Sequence, residues 1–410
     1  MNYEELLELA VDLAYQLQIC GAETYRVEES ISRIFRAYNV EGEAFSIPNC
    51  IIASLETPDE RNLTRMRRTG YSSTDMYALE RYNALCRRIC QETPSVETAA
   101  QWLEAEIRQC KPCPFWLALL GYAIAAAGFS LFFKGTAMDA FCGAACGIIT
   151  FFCLRFMESL RVNLFFKTLT AGFAAALLAE AMAAVGLCHN ADSAIIGTLM
   201  LLVPGLLFTN SIRDIIYGDT MSGVNRLVQV LIIALALAVG VGAAVSLARS
   251  FFGDLPGAAM QVEYGLDFQC VACAIGSLGF CLLFNMRGPG ILLCILGGVM
   301  SWVVYSVCAL WLSEPVSYLI AAIFVSLYAE CMARLRKCPA TPYLVSSLFP
   351  LIPGASIFYT MDYAIRGEIN SFMSKGLLTA ALAGALAVGV LLGSTLNRMW
   401  NALKQRRRAS

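Results

Sequence analysis

Residues 202–219 read LVPGLLFTNSIRDIIYGD, and residues 351–368 read LIPGASIFYTMDYAIRGE. Set one under the other at an offset of 149, Leu202-Val203-Pro204-Gly205 falls on Leu351-Ile352-Pro353-Gly354, and Gly218-Asp219 falls on Gly367-Glu368. The match extends both ways. Ala236–Val241 (ALAVGV) recurs unchanged as Ala385–Val390, while Ala179-Glu180-Ala181-Met182-Ala183 is answered by Ala329-Glu330-Cys331-Met332-Ala333 at an offset of 150. Gly128-Phe129 is answered by Gly279-Phe280 at 151. Markers in one order at nearly one offset describe a duplicated unit.

The surroundings of the repeat say what solvent it faces. Of 410 residues, 58% are hydrophobic and 15% charged, against about a quarter charged in an ordinary soluble domain. From Pro114 onward, apolar runs long enough to cross roughly 30 Å of hydrocarbon follow one another. Ten are expected, at 114–133, 137–155, 168–187, 193–209, 224–247, 267–285, 288–311, 315–333, 342–359 and 375–396. Fourteen lysines and arginines, from Arg155 to Arg408, fall in one set of loops and the C-terminal tail; the other set holds Lys134, Arg249, Arg366 and Lys375. That bias places both termini in the cytoplasm. The first residues, MNYEELLELA, show neither the basic start nor the apolar stretch of a cleavable signal.

Before Pro112 the composition is that of a soluble domain, with 18 acidic and 12 basic side chains. Helical spacing covers Met1–Ile19, Ala22–Tyr38, Asp75–Cys90 and Val96–Cys110; Glu43–Leu55 and Asn62–Thr69 read as strands. The expected fold is mostly α: a polytopic membrane protein of about ten transmembrane helices in a 5+5 inverted repeat, behind a small soluble α+β domain. The expected boundaries are 1–112 for the cytoplasmic domain, 113–250 and 251–397 for the five-helix repeats, and 398–410 for a basic tail. Because each repeat has an odd number of spans, its two copies enter the membrane in opposite senses, as in many secondary transporters.

Candidate functional residues follow from the duplicated Pro-Gly. Proline removes a helix hydrogen bond and glycine loosens the backbone, so each span breaks there and exposes backbone polar groups at membrane depth. The expected substrate site is Pro204, Gly205, Thr209 and Asn210 with Pro353, Gly354, Ser356 and Tyr359; the alternative is a pair of kinks that only shape packing. Glu180 and Glu330 are costly intramembrane carboxylates, suited to carrying protons or to a fixed interhelical hydrogen bond. Arg213, Asp214 and Asp219 in one half, and Asp362, Arg366 and Glu368 in the other, read as charged gates at opposite faces or as solvated turns.

Other chemistries find little footing. The single histidine, His189, is far in sequence from the N-terminal domain, and a Ser-His-Asp or Cys-His triad requires one. No P-loop pattern occurs. The seventeen cysteines are scattered and lack metal-ligand spacing, so neither a metal nor a cofactor is expected, and the net charge of −1 gives no reason to expect nucleic acid.

Gly21-Ala22-Glu23-Thr24-Tyr25-Arg26-Val27-Glu28, with Glu23, Tyr25, Arg26 and Glu28 as its polar positions, forms an N-domain motif. Together with Leu202-Val203-Pro204-Gly205, Asn210, Arg213-Asp214, Gly218-Asp219 and Pro350–Gly354, it resembles the bacterial threonine/serine exporter family over nearly the whole chain. The chain looks like the single-chain form, joining the N-terminal domain and first five spans to the second five. The resemblance implies export of threonine and serine driven by the proton motive force, from a bacterial inner (plasma) membrane. Protons, lipid and a small-molecule substrate are then the partners, and a homo-oligomer is compatible with it. Split relatives are associated with dicarboxylate (succinate) export, the alternative substrate. A hydrolase-like N-terminal region has been suggested for the family, but without a histidine there a histidine-dependent version is disfavoured. A channel or a membrane-bound hydrolase are the alternatives of another class.

Overall fold

The computed structural model describes residues 2–70, 74–204, 207–208, 210–211, 214–215, 218–253, 263–336 and 338–409. They form two compact units. The first contains Met1–Cys113 together with two short segments from later in the chain, Phe284–Arg287 and Ala333–Pro342.

In that unit, α1 (Tyr3–Ile19) and α2 (Thr24–Ala37) precede a three-stranded antiparallel meander of β1 (Gly42–Ile47), β2 (Cys50–Glu56) and β3 (Asn62–Arg68). Helices α3 (Met76–Glu92) and α4 (Val96–Gln109) follow. Asn2 caps α1 through the amides of Glu4 and Glu5, and the buried residues Leu6, Leu9, Leu13 and Leu17 recur at helical spacing along it. Strand β2 alternates, with Ile51, Ala53 and Leu55 buried, which is the period-2 pattern of a sheet covered on one face. Arg65 on β3 pairs with Glu8 at 2.7 Å, and the Arg67 guanidinium lies 3.9 Å from the Tyr15 ring centre. Asp75 caps α3 through Ala78 N–H at 2.9 Å and also accepts from Asn285 Nδ2 at 2.8 Å. Phe284 C=O accepts from Met76 N–H at 2.9 Å, so the Phe284–Arg287 turn is bound into this unit at the start of α3.

The second unit holds the apolar helices: α5 (Phe115–Phe132), α6 (Ala137–Ser159), α7 (Leu164–Ala184), α8 (Ala191–Leu199) and α9 (Thr220–Phe252), then α10 (Leu266–Leu283), α11 (Gly290–Cys308), α12 (Glu314–Arg336), α13 (Thr341–Leu348), α14 (Gly354–Ile365) and α15 (Ile369–Ala409). Among the described residues eight helices are long and apolar enough to cross a membrane, and α13 with α14 makes a ninth bent by 48°. The chain is therefore a mostly helical polytopic membrane protein with a small α+β unit. The expected fourth span, 193–209, is not one helix: α8 stops at Leu199, and part of the remainder lies outside the described residues. The third span sits earlier than expected, ending at Ala184, and the basic tail continues α15 instead of standing apart from it.

Glycines set how closely these helices approach. A Cβ at Gly128 on α5 would overlap the backbone of Gly276 on α10, one at Gly279 would overlap Ala125, and one at Gly121 would meet Leu283. As the α5 number falls the α10 number rises, so the two helices pack antiparallel. Adding 151 to Gly128 and Ala125 gives Gly279 and Gly276, so the first two contacts exchange with each other. That is the self-complementary pattern of a two-fold axis. Elsewhere the packing recurs: Gly240 lies against Leu169 C=O and Gly389 against Leu319 C=O, while Gly147 meets Ala126 and Gly298 meets Ser277.

Candidate translocation site

Pro204 and the Pro353-Gly354 pair both stand just after a helix has ended. After Leu199, a turn bonds Leu202 and Val203 N–H to Leu199 C=O at 2.8 Å, and helical bonding resumes from Pro204 C=O to Phe208 N–H at 2.9 Å. In the second half, α13 tightens into a 3-10 turn over Phe349–Leu351, Ile352 is extended, and Pro353 C=O accepts from Ile357 N–H at 3.0 Å. Pro353 therefore opens the half-helix that follows it, and Pro204 accepts the first helical bond after its break; at such a position proline's missing N–H leaves nothing unsatisfied.

The two breaks meet. Gly354 is buried against Met200, the residue after α8, so closely that a Cβ at Gly354 would collide with Met200 Sδ. Around this contact Phe358 joins one apolar cluster with residues of α7, α8 and α9, and Leu202, Val203, Ala355, Ile357 and Tyr359 pack against it. Pro353 is buried; Pro204, Asn210, Ser356 and Tyr359 are half-buried. Ser356 C=O accepts from Thr360 Oγ1 at 2.7 Å. Gly205 and Thr209 lie outside the described residues.

A charged group lies one turn beyond. Asp362 and Arg366 on α14 pair at 2.7 Å. Asp192, in the first turn of α8, interacts electrostatically with both and with Arg249 in the last turn of α9. Glu180 on α7 interacts with Asp192 and Arg249, and Tyr359 with Asp192 and Asp362. Three carboxylates and two guanidiniums from four helices thus gather near the end of the unit where α7 closes. Glu180 is four residues from the end of α7, not deep within a span as expected, because the helix ends at Ala184.

The remaining expected gate residues separate from this group. Asp214 is nearly buried and pairs with Arg226 on α9 at 3.4 Å. Asp219 caps α9 through Ser222 N–H at 3.4 Å; Glu368 is exposed, and Arg213 lies outside the described residues. Glu330 is half-buried on α12. Glycines Gly218 and Gly367, equivalent at offset 149, have φ of +95° and +73°, a left-handed conformation that explains why glycine stands in both turns. Among the described residues no three histidine, cysteine or carboxylate side chains are placed to hold a metal ion.

A model of a family described as putative threonine/serine exporter matches residues 8–248, and one described as threonine/serine exporter matches residues 269–396. The chain belongs to the threonine/serine exporter family. That family is one of membrane transporters, not of enzymes. A probable threonine/serine exporter of Mycobacterium tuberculosis is 24% identical over 97% of this chain and 77% of its own length. A threonine/serine exporter of Corynebacterium glutamicum is 23% identical over 80% of this chain and 69% of its own length. Pheromone-regulated membrane protein 10 of Saccharomyces cerevisiae is 21% identical over 58% of this chain and 31% of its own length. No solved structure matches.

In this exporter-family chain, the residues that sequence reasoning missed are Asp192, Arg249 and Asp139. Asp192 follows the helix cap Asn190 and reads as an ordinary first-turn acid. Asp139 is fully buried and accepts from Thr136 N–H and Oγ1 at 2.8 Å, His189 N–H at 2.7 Å and Asn190 N–H at 2.9 Å. It holds the turn that starts α8 and so positions Asp192; only the Thr136-x-x-Asp139 capping spacing hinted at it. The N-domain motif lies at the turn between α1 and α2. Gly21 turns the chain at φ +92°, Glu23 pairs with Arg26 at 3.4 Å, Arg26 reaches Tyr25 Oη at 3.2 Å, and Glu28 accepts from Ser46 N–H on β1 at 2.8 Å.

Proposed function

We propose that this chain exports threonine, serine or a closely similar small polar solute, with the meeting of its two broken helices as the solute site. The observation that carries the reading is the contact between Gly354 and Met200, which brings both Pro-Gly breaks into one core. The half-helix beginning at Gly354 presents its N-terminal amide end there, which suits a carboxylate. The nearby acids Glu180, Asp192 and Asp362 exceed the arginines by one, which suits an ammonium group or a proton.

The recurring glycine contacts support an inverted repeat, in which the halves exchange conformations about the α5–α10 crossing. The lysine and arginine bias supports cytoplasmic termini in a bacterial inner membrane. Coupling to the proton motive force is part of the proposal, with Glu180 as the proton-carrying group, because its neighbours of both signs allow it to exchange partners as the outer end opens.

The test is efflux of labelled threonine, serine and succinate from proteoliposomes, with and without a pH gradient. Gradient-accelerated efflux of threonine or serine is expected. In Glu180→Gln, efflux down a threonine gradient persists while acceleration by pH disappears. Full pH-driven efflux in that variant removes Glu180 from the mechanism, and release of succinate alone overturns the substrate.

A further inference from the structure

Residues 1–112 carry 18 acidic and 12 basic side chains, so the N-terminal unit is acidic as a whole. One cleft in it has the opposite sign. It lies between α2 and α3, has a volume of about 300 Å³, and is lined by Arg26, Arg33 and Arg87, with Glu29 as the single carboxylate among the lining residues. Glu29 pairs with Arg33 at 2.7 Å in a half-exposed position, where such a pair contributes little and exchanges readily for another anion. Asn83 lines the same cleft, and its Nδ2 is buried with no hydrogen-bond partner among the described residues. Because that Nδ2 is closed off from solvent, the cleft's own donors are the guanidiniums that line it.

A thiol reports the same positive field. The Cys90 thiol, also in this lining, is held below the usual range by a hydrogen bond from Cys86 and by the Arg33 charge, which together outweigh its burial. The cleft is formed entirely within the N-terminal unit, apart from the broken-helix site, and the inference does not depend on what the chain exports.

We propose that this cleft is a binding site for a small oxyanion, a carboxylate or phosphate group gripped by Arg33 and Arg87. Guanidinium groups suit this task because their planar N–H forks match the oxygen pairs of carboxylate and phosphate. The size is at the lower end for small-molecule sites, so the ligand is a metabolite-sized anion.

The test is calorimetric titration of the full chain in detergent micelles, at fixed ionic strength, with inorganic phosphate, succinate and L-threonine in turn. Saturable binding of at least one probe is expected, weakened tenfold or more in Arg33→Gln and Arg87→Gln. Arg88→Gln is the control: Arg88 is on the same helix but stacks on Trp102 and pairs with Glu92, and its loss leaves binding unchanged. Phosphate alone binding marks a phosphate site, and succinate or threonine binding marks a carboxylate site. As a second reading, the bound probe slows alkylation of Cys90 in the unsubstituted chain, where folding is not in question. Absence of saturable binding by all three, or binding that survives both arginine replacements, overturns the proposal.

Discussion

Gly354 and Cys90 show how much one residue can decide. At Gly354 the missing side chain lets Met200 reach the backbone where the second broken helix restarts. A β-branched residue there displaces the Met200 side chain from the contact between the two breaks. Gly354→Val is expected to reduce threonine efflux at least tenfold while the protein still inserts, and Met200→Ala in that background to restore part of it by making room for the methyl groups. Efflux that stays normal in Gly354→Val places the solute path elsewhere. For Cys90, a lowered thiol affinity for protons means more thiolate at neutral pH. Burial pushes Cys110 the other way. Alkylation followed by mass spectrometry is therefore expected to label Cys90 several-fold faster than Cys110 at pH 7. The midpoint of its pH–rate curve lies below the ordinary thiol value and moves upward in Arg33→Gln, because removing a positive charge destabilises the thiolate. A midpoint that does not move in Arg33→Gln argues against the cationic cleft, since the Cys86 hydrogen bond is unaffected by that change.

Among the elements, the glycine crossings do the work that bulk hydrophobicity does in a soluble core. Lipid tails are as apolar as leucine, so helices in a membrane gain most from close backbone approach. The α5–α10 crossing has Gly128 against Gly276 and Gly279 against Ala125, with no space for larger groups. Gly128→Val is expected to lower the thermal midpoint by several degrees, corresponding to about 1–3 kcal/mol of overpacking. Gly384 has open space at the Cβ position, so Gly384→Val serves as the matched control and is expected to change the midpoint little. A destabilisation equal in both would locate the effect in valine itself, not in the crossing. The broken elements follow a different rule: each proline stands in a break, with α8 ending at Leu199 before Pro204 and α14 starting at Gly354 after Pro353, so both helices are short and touch each other.

For the molecule as a whole, the proposed inverted repeat and the lysine and arginine bias make one topological prediction. Alkaline phosphatase fused after Gly186 is expected to be active, and the same enzyme fused after Ala409 inactive. Activity at both sites, or only at the C-terminal one, contradicts a cytoplasmic C-terminus and the inverted arrangement. The N-terminal unit is bound to the turn at Phe284–Arg287 through Asp75, which also caps α3. Asp75→Ala is expected to destabilise that unit by about 1 kcal/mol from the lost cap, and by more through the unmet Asn285 amide, read as a lower melting temperature.

Sequence alone determined the class of solvent, the approximate helices, the presence of strands between residues 43 and 69, and the duplicated Pro-Gly; that the strands are three and pair as a meander came from the structure. Each of these rests on local composition or on a period that a linear string preserves. Membrane spans announce themselves by length of apolar run, and a strand such as Ile51–Leu55 by alternation. What only the tertiary structure decided is which residues share a place. Asp192 and Arg249 are 57 positions apart in the chain, and neither is unusual where it stands; they join one charged group because α8 and α9 bring them within electrostatic reach of Glu180 and, for Asp192, of Asp362. Asp214 and Asp219 stand apart from that cluster, one paired with Arg226 and the other capping α9. The Arg33–Arg87 cleft was likewise invisible, since it joins two ordinary amphipathic helices. Charge acts through a few ångströms of space, and spacing along the chain does not report that distance once the helices have packed.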